Sequence, residues 1–176
     1  SREEKEILYR LNRLAARFYY DELLQGEAGR RGRAYLEERG FRPEMIREGL
    51  LGFAPGGRAL VRYLESQGAS MEAALKIGLG RRGEAGDLFD FFRERVLFPI
   101  LSPDGKVLGF SGRALAQEVE PKYLNSPESP IYSKADSLLG LRQARQAIRA
   151  NDQVIVVEGN FDQLRLLQEG VSQGEV

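Results

Sequence analysis

The sequence predicts an α+β protein, in which a helical N-terminal half precedes a small antiparallel sheet and the opening strand and helix of an α/β layer. Three observations support this fold class. Residues 3–25 repeat apolar side chains at the spacing of an amphipathic helix. Residues 95–110 hold two apolar runs around a Pro-Asp-Gly turn, which is the pattern of a β-hairpin. Residues 154–157, Val-Ile-Val-Val, precede a glycine and a second helical pattern, as at the start of an α/β unit.

Short helices separated by glycine are expected after the first helix. Proline suits the first turn of a helix, as at Pro43, and serine caps a helix N-terminus, as at Ser70. Glycine just beyond each apolar segment accepts the backbone conformation that ends a helix. The expected helices span residues 31–39, 43–48, 60–66 and 71–76.

The second half is expected to contain the hairpin, an irregular segment and the α/β unit. Residues 80–90 are rich in glycine and charge, which indicates a surface loop. Residues 121–134 contain three prolines and are expected to be irregular. The remaining expected elements are strands at 95–100 and 106–110 joined by a turn at 102–105, a helix at 138–149, a strand at 154–157 and a helix at 160–169.

The composition excludes several kinds of chemistry. The 176 residues include no cysteine and no histidine, which rules out disulfides, histidine general bases and zinc sites with thiolate or imidazole ligands. Basic and acidic residues balance at 26 each, so nucleic-acid binding must be argued from local patches. No apolar run approaches the roughly 20 residues of a membrane helix, and the N-terminus is unlike a signal peptide. We therefore expect a cytoplasmic protein without a membrane partner.

Glu158 and Asp162 are the strongest catalytic candidates. Glu158 ends the predicted strand at 154–157, and Asp162 lies in the first turn of the next helix. Ligands bind at the carboxyl ends of strands in open α/β sheets, where a carboxylate can hold Mg²⁺ or act as general acid or base. Alternatively, Glu158 is a solvated strand end and Asp162 stabilises the helix N-terminus through the dipole. The residues alone leave both interpretations open.

Basic and aromatic residues around 121–134 are candidates for nucleic-acid binding. Lys122 and Lys134 flank Tyr123 and Asn125 in this segment. Basic groups contact phosphates and tyrosine rings stack on bases, although composition alone favours an ordinary loop with solvated lysines. Residues 93–149 carry nine Lys or Arg against six Asp or Glu, a local excess of three. This excess indicates a modest basic field in the second half.

Six motifs follow one another along the chain. They are RAYLEERGF at 33–41, LGFAP at 51–55, RVLFPI at 95–100, GFSGR at 109–113, PKYLNSPE at 121–128 and VVEGNFD at 156–162. In this order they resemble the bacterial DNA primases over nearly the whole chain. VVEGNFD resembles the opening of the Toprim catalytic fold, which primases share with type IA and type II topoisomerases. The chain departs from the family pattern at Asn160 and Phe161, where many relatives carry Tyr-Met, and at Phe91, where many carry a basic residue.

The resemblance implies a DNA-dependent RNA polymerase, a nucleotidyltransferase that synthesises short RNA primers on single-stranded DNA. It implies that Glu158 acts near Mg²⁺ or Mn²⁺, or in acid–base chemistry, and that Asp162 supports that site. Phosphoryl transfer depends mostly on positioning and on charge stabilisation by metals and basic side chains. The implied cleft for template or product is lined by Arg93, Arg95, Arg113, Lys122, Tyr123, Asn125 and Lys134.

The resemblance also implies partners and a division into domains. The expected partners are a single-stranded DNA template, an RNA–DNA hybrid, ribonucleoside triphosphates and a replicative helicase that binds through a region outside this chain. Residues 1–150 are expected to form the nucleic-acid-binding subdomain, and residues 151–176 to begin the Toprim domain. The acidic D-x-D pair of the family does not follow Glu158 here, so we expect that this chain alone does not synthesise primers.

Two other function classes remain open at the level of sequence. One is a non-catalytic module that binds single-stranded nucleic acid, and the other is a relative of Toprim nucleases or topoisomerases. The PKYLNSPE segment is not expected in topoisomerases, and none of the seven tyrosines is an obvious nucleophile. An acidic pair downstream of the chain would favour the enzyme over the binding module.

Overall fold

The computed structural model describes residues 1–170 and combines helices with small antiparallel sheets, which confirms the predicted class. The helices are α1 (Arg2–Gln25), α2 (Arg30–Glu38), α3 (Pro43–Glu48), α4 (Ala59–Ser66), α5 (Met71–Lys76), α6 (Leu141–Asn151) and α7 (Asn160–Gln168). The strands are β1 (Gly52–Ala54), β2 (Gly80–Arg82), β3 (Leu88–Asp90), β4 (Arg95–Leu101), β5 (Val107–Ala114) and β6 (Tyr123–Asn125). None of the helices within this range is long and apolar enough to cross a bilayer.

The main sheet has the strand order β1-β4-β5-β6, and each neighbouring pair is antiparallel. Its centre is the predicted hairpin of β4 and β5. The predicted surface loop at 80–90 is instead a second hairpin of β2 and β3. Gly86, with a φ of 85°, supplies the left-handed turn between these strands, and Arg81 stacks over the ring of Phe89. Strands of only three residues are too short for an alternation of apolar and polar side chains to be recognised in the sequence.

Two apolar cores lie on opposite faces of the main sheet. Leu97 packs with Phe110 in the first core, which helix α1 covers. Val96 and Phe98, the alternate residues of β4, pack in the second core beneath α2, α3 and α7. The sheet is therefore buried on both faces, and β4 contributes to both cores.

Helix α1 is joined to the sheet by a polar contact inside its apolar face. Asn12 is fully buried, and its Nδ2 donates to the carbonyls of Val107 at 3.1 Å and Leu108 at 3.0 Å. The start of the helix is a capping box, in which the Ser1 hydroxyl accepts from the Glu4 amide and the Glu4 carboxylate accepts from the N-terminus. The contact of Asn12 fixes how the first helix lies across β5, and the capping box stabilises the first turn of that helix.

Asp90 is a buried carboxylate that caps helix α4. It ends β3 and is 2% exposed. Its Oδ2 accepts from the amide of Leu60 at 2.9 Å, and its Oδ1 accepts from the amide of Val61 at 3.0 Å. These amides belong to the first turn of α4, which its own N-cap residue, Arg58, does not cap. Burial raises the pKa of Asp90 to about 6, although its backbone hydrogen bonds oppose the shift.

We expect the titration of Asp90 to lower the free energy of unfolding as pH rises. An aspartate in the unfolded chain titrates near about 3.9, whereas the folded carboxyl keeps its proton up to about 6. The folded state binds more protons between these values, so rising pH removes about 2 kcal/mol of stability through this group. Urea denaturation of wild type and Asp90→Asn at about pH 4 and about pH 7 isolates the effect, because asparagine does not titrate. An equal difference between the two proteins at both pH values would contradict the raised pKa.

The predicted strand at 154–157 does not form among the described residues. This segment has no strand assignment, and the side chains of Val154, Ile155 and Val156 are 58%, 63% and 72% exposed. The apolar run indicated a strand buried on both faces, but a strand needs a neighbour for its backbone hydrogen bonds, and no described strand pairs with it. Helix α7, predicted for 160–169, does form, so the predicted βα unit is present only in its helix.

Candidate nucleic-acid interface

Strands β5 and β6 present a polar and aromatic surface at the edge of the main sheet. Ser111 pairs in register with Asn125, and Arg113 pairs with Tyr123. Side chains alternate between the faces along a strand, so these four side chains lie on one face, here called the β5–β6 face. Asn125 is exposed and Tyr123 is 44% exposed. The structure therefore brings Arg113, Tyr123 and Asn125, three of the predicted site residues, together.

Arg113 is held between two tyrosine rings on this face. Its guanidinium carbon lies 5.4 Å from the ring centroid of Tyr123 and 5.9 Å from that of Tyr35. Its Nη1 donates to the carbonyl of Ala114, and its Nε is buried without a partner among residues 1–170. Stacking fixes the plane of a guanidinium, whose fork of donors suits phosphate oxygens. Arg113 is thus a preorganised, half-buried cation next to the edge strand β6.

Glu94 lies between two arginines whose side chains occupy different environments. Its backbone has a φ of 48°, in the left-handed region, and its Oε2 accepts from Nη1 of Arg31 at 2.9 Å. The left-handed residue breaks the alternation of the strand at its start. As a result, Arg93 is exposed, as a phosphate-binding residue must be, whereas Arg95 is 1% exposed.

Arg95 supports strand β6 from inside the protein. Its Nη1 donates to the carbonyl of Lys122 at 3.3 Å. Gly112 makes room for it, because a Cβ at that position would lie 3.0 Å from Cδ of Arg95. Burial lowers the pKa of Arg95, and the nearby charges of Arg93 and Arg113 lower it further. The predicted direct contact of Arg95 with nucleic acid does not match this placement, since its guanidinium has almost no exposed surface.

The segment 121–134 is irregular apart from β6, and it holds its two lysines at the surface. The hydroxyl of Ser126 accepts from the amide of Phe110 at 2.8 Å, which fixes the segment against β5. Further along, the carboxylate of Glu128 accepts from the amide of Lys134 at 2.9 Å. Lys122 and Lys134 are exposed, and neither ammonium group forms an ion pair within residues 1–170. Their charges are therefore available to a phosphate.

The two candidate carboxylates lie beside the β5–β6 face. Glu158 and Asp162 are exposed at the start of α7, in a segment here called the carboxylate turn (residues 158–162). Asn160, between them, donates from Nδ2 to the hydroxyl of Ser111 at 2.7 Å. Ser111 is the register partner of Asn125. The structure therefore joins the last motif to the surface that carries the basic and aromatic residues.

The carboxylate turn fits part of a metal site and not a complete one. No group of three or more acidic side chains in residues 1–170 is placed to hold an ion. Mg²⁺ prefers octahedral coordination by oxygen, and Glu158 and Asp162 offer only two side chains. A site for Mg²⁺ or Mn²⁺ at this position needs ligands from outside the described residues.

Five residues of this region were not predicted as site residues from the sequence: Tyr35, Arg39, Ser111, Asn160 and Phe161. The guanidinium carbon of Arg39 lies 4.8 Å from the ring centroid of Tyr35 and 4.9 Å from that of Phe161. Tyr35 and Arg39 are four residues apart, a spacing that places side chains on one helix face, and this was the available signal. No local pattern links Ser111 to Asn160, which is 49 residues away.

Residues 19–145 match the family profile described as the DNA primase catalytic core, N-terminal domain. The chain belongs to the DNA primase family. The DNA primase of Halalkalibacterium halodurans is 40% identical over 173 residues, which are 97% of this chain and 29% of that protein. The DNA primase of Pseudomonas aeruginosa is 40% identical over 166 residues, 93% of this chain and 25% of that protein. The chain thus spans between a quarter and a third of the length of these primases.

Solved primase structures share the fold. A structure described as the DnaG primase catalytic domain bound to ssDNA is 36% identical with a TM-score of 0.87, and the match covers 98% of this chain and 55% of that one. The E. coli primase catalytic core is 38% identical with a TM-score of 0.84, covering 94% and 52%. The RNA polymerase domain of Mycobacterium tuberculosis primase, in complex with a double-stranded DNA oligomer with a 6-nucleotide overhang, is 35% identical with a TM-score of 0.88, covering 95% and 52%. These likenesses favour the primase interpretation over a topoisomerase relative.

Proposed function

We propose that this chain is the part of a DNA primase catalytic core that binds the template strand and supplies the first catalytic carboxylate. The observation that supports it most strongly is the 2.7 Å hydrogen bond between Asn160 and Ser111. Through it the carboxylate turn adjoins the β5–β6 face. A polymerising site needs groups that hold nucleic acid next to groups that act on the transferred phosphoryl, because such catalysis consists mostly of positioning and charge stabilisation.

The roles of the surface residues follow from their chemistry and exposure. Arg93, Arg113, Lys122 and Lys134 bind phosphates of single-stranded DNA or of the RNA–DNA product, since each offers a cationic donor. Tyr123, on the exposed edge strand, offers its ring for stacking on a base. Tyr123 and Asn125, on strand β6, follow Lys122 closely in the chain, so Asn125 can contact the same stretch of nucleic acid. DNA in two of the related structures makes nucleic acid the ligand to test first.

The catalytic part of the proposal concerns Glu158 and Asp162. Glu158 binds a divalent metal, Mg²⁺ or Mn²⁺, or acts in acid–base chemistry, and Asp162 supports it. A bound metal would neutralise charge on the triphosphate of an incoming ribonucleotide. Further ligands, ribonucleoside triphosphate contacts and binding of a replicative helicase belong to other parts of a primase. A primase works with the replicating DNA in the bacterial cytoplasm.

The domain division remains part of this proposal. Residues 1–150 form the nucleic-acid-binding subdomain, and residues 151–176 begin the Toprim domain, of which residues 171–176 lie outside the described residues. Helix α7 packs in the second core with residues of the first unit, so the second unit contacts the first through this helix.

Binding of single-stranded DNA tests the proposal. Fluorescence anisotropy at low and high salt is expected to show salt-dependent binding that weakens in Lys122→Ala/Lys134→Ala. Each phosphate contact with a single strand contributes about 0.7 to the slope of log affinity against log salt, so losing two contacts lowers the slope by about 1.4.

A matched control distinguishes the loss of local phosphate contacts from the general effect of removing two positive charges. Lys5→Ala/Arg13→Ala removes two positive charges from the exposed face of α1, away from the β5–β6 face. It is expected to bind as the wild type does. Absence of binding at low salt, or equal losses in both double variants, would overturn the assignment of the 121–134 segment to nucleic-acid binding.

A further inference from the structure

Helix α7 is attached to the rest of the protein along its whole length. At its start, Asn160 donates to Ser111 at 2.7 Å. In its first turn, the ring of Phe161 lies among Phe41 and Phe98, with centroids 5.6 Å and 5.2 Å away. One turn further on, Arg165 stacks over Phe41 at 4.3 Å and donates to the backbone carbonyls of residues 39 and 40. The helix therefore has a polar anchor, an aromatic anchor and a cationic anchor on one side.

The residues just before α7 have no such attachment. Side chains from Asn151 to Val156 are exposed, and no described strand pairs with residues 154–157. The position of Glu158 is therefore determined from its C-terminal side, by the contacts of the helix. Asn160 is the first of these contacts, and two peptide units limit its Cα separation from Glu158 to about 7 Å.

Ser111 is a fixed point for this contact. It is 7% exposed, lies within β5, and is flanked in the ladder by Phe98 on β4 and Asn125 on β6. Two residues further along the same strand is Arg113, whose guanidinium the tyrosine rings hold. The hydrogen bond from Asn160 therefore ties the middle of the carboxylate turn to the strand that carries the central cation of the β5–β6 face.

The aromatic and polar anchors have different consequences. Packing of Phe161 in the second core determines how closely α7 approaches the sheet. Such packing is non-directional, so it does not by itself fix the orientation of the residues at the start of the helix. The amide–hydroxyl bond is directional, since its geometry restricts both distance and angle. One hydrogen bond contributes little to net stability because it replaces bonds with water. Its main consequence is therefore the orientation of the carboxylate turn.

We propose that Asn160 and Ser111 are positioning residues for nucleotidyl transfer. Their hydrogen bond holds Glu158 and Asp162 at a constant spacing from Arg113 and Asn125, so the carboxylates and the template strand stay in register. The proposal rests on the proposed function for its catalytic meaning. The attachment itself is a property of the fold and can be measured without nucleic acid.

Hydrogen exchange tests the attachment directly. In Asn160→Ala and Ser111→Ala, the hydrogen bond that holds the start of α7 to β5 is lost, so local opening of the helix becomes easier. Protection of the amides of Gln163, Leu164 and Arg165 against exchange is therefore expected to fall about five-fold. Ser111→Thr keeps the hydroxyl acceptor and is expected to retain the wild-type protection. Amides in the middle of α1 serve as the internal reference and are expected not to change. Unchanged protection in α7, or an equal loss in α1, would overturn the proposal.

Primer synthesis by a complete primase that contains this chain tests the catalytic meaning. Asn160→Ala and Ser111→Ala are expected to lower kcat by about ten-fold or more and to leave KM for the template unchanged. The reason is that misplaced carboxylates slow the chemical step, whereas the groups that bind the template are unaltered. Restoration of kcat in Ser111→Thr would support positioning. An increase in KM alone would overturn it. If the lysine variants show no loss of DNA binding, the proposed function of the 121–134 segment fails, whereas the exchange result stands independently.

Discussion

Replacing Phe161 by alanine should lower the free energy of unfolding by about 3–5 kcal/mol, the usual cost of truncating a buried phenylalanine. The side chain is 8% exposed and packs edge-to-face on Phe98 of the central strand β4. The cavity would therefore open inside the second core, between α7 and the sheet. Urea denaturation monitored by far-UV circular dichroism measures the change in the free energy of unfolding.

Leu166→Ala is the matched control for this substitution. Leu166 lies on the same helix, but it lines the apolar groove between α6 and α7 instead of the second core. Its truncation is expected to cost less than about 1 kcal/mol, as for partly exposed positions. If Phe161→Ala costs no more than Leu166→Ala, helix α7 is not an integral part of the second core.

Arg95 does not reach the surface, but its positive charge lies close to those of Arg93 and Arg113 and adds to the basic field there. Replacing Arg95 by methionine should therefore weaken binding of single-stranded DNA about ten-fold, equivalent to about 1.4 kcal/mol, without destabilising the fold. The guanidinium is buried, forms no ion pair within residues 1–170 and leaves its Nε unpartnered. Replacing a buried charge by an apolar side chain of similar volume is often neutral or stabilising, here by up to about 2 kcal/mol. The carbonyl of Lys122 keeps a second donor, the amide of Ala114 at 2.9 Å. Urea denaturation and anisotropy on the same samples measure both effects.

Arg93→Met provides the comparison, since it removes the same charge from an exposed position two residues away. It is expected to weaken binding through loss of a phosphate contact and to leave the free energy of unfolding within about 0.5 kcal/mol of wild type. A loss of stability greater than about 2 kcal/mol in Arg95→Met would show instead that the guanidinium is a structural group whose interactions exceed its burial cost.

The helices were largely predictable because their signals are local. Apolar spacing and glycine placed α1, α2 and α5 within a residue or two, and Ser70 caps α5 as expected, accepting from the amide of Ala73. The strands depend on partners distant in sequence. The apolar run at 154–157 indicated a buried strand, yet its burial requires a neighbouring strand that the run itself does not encode.

The sequence indicated candidate site residues but not their geometry. Motif spacing identified Arg113, Tyr123 and Asn125, which the sheet register places on one face. The inward position of Arg95 could not be predicted, because both faces of β4 are buried in the structure and the sequence does not show which elements cover them. The link between Asn160 and Ser111 likewise depends on the tertiary fold.

Among the strands of residues 1–170, β6 is a short strand at the edge of the main sheet, and this has a consequence for solubility. An open edge exposes unpaired amides and carbonyls to which a strand of another molecule can add, and this is a route to aggregation. Here the edge strand is only three residues long, with Pro121 and Lys122 immediately before it and Pro127 soon after it. Proline and lysine are the residues that discourage such additions. Removing Lys122 therefore tests DNA binding and also weakens a protection against self-association.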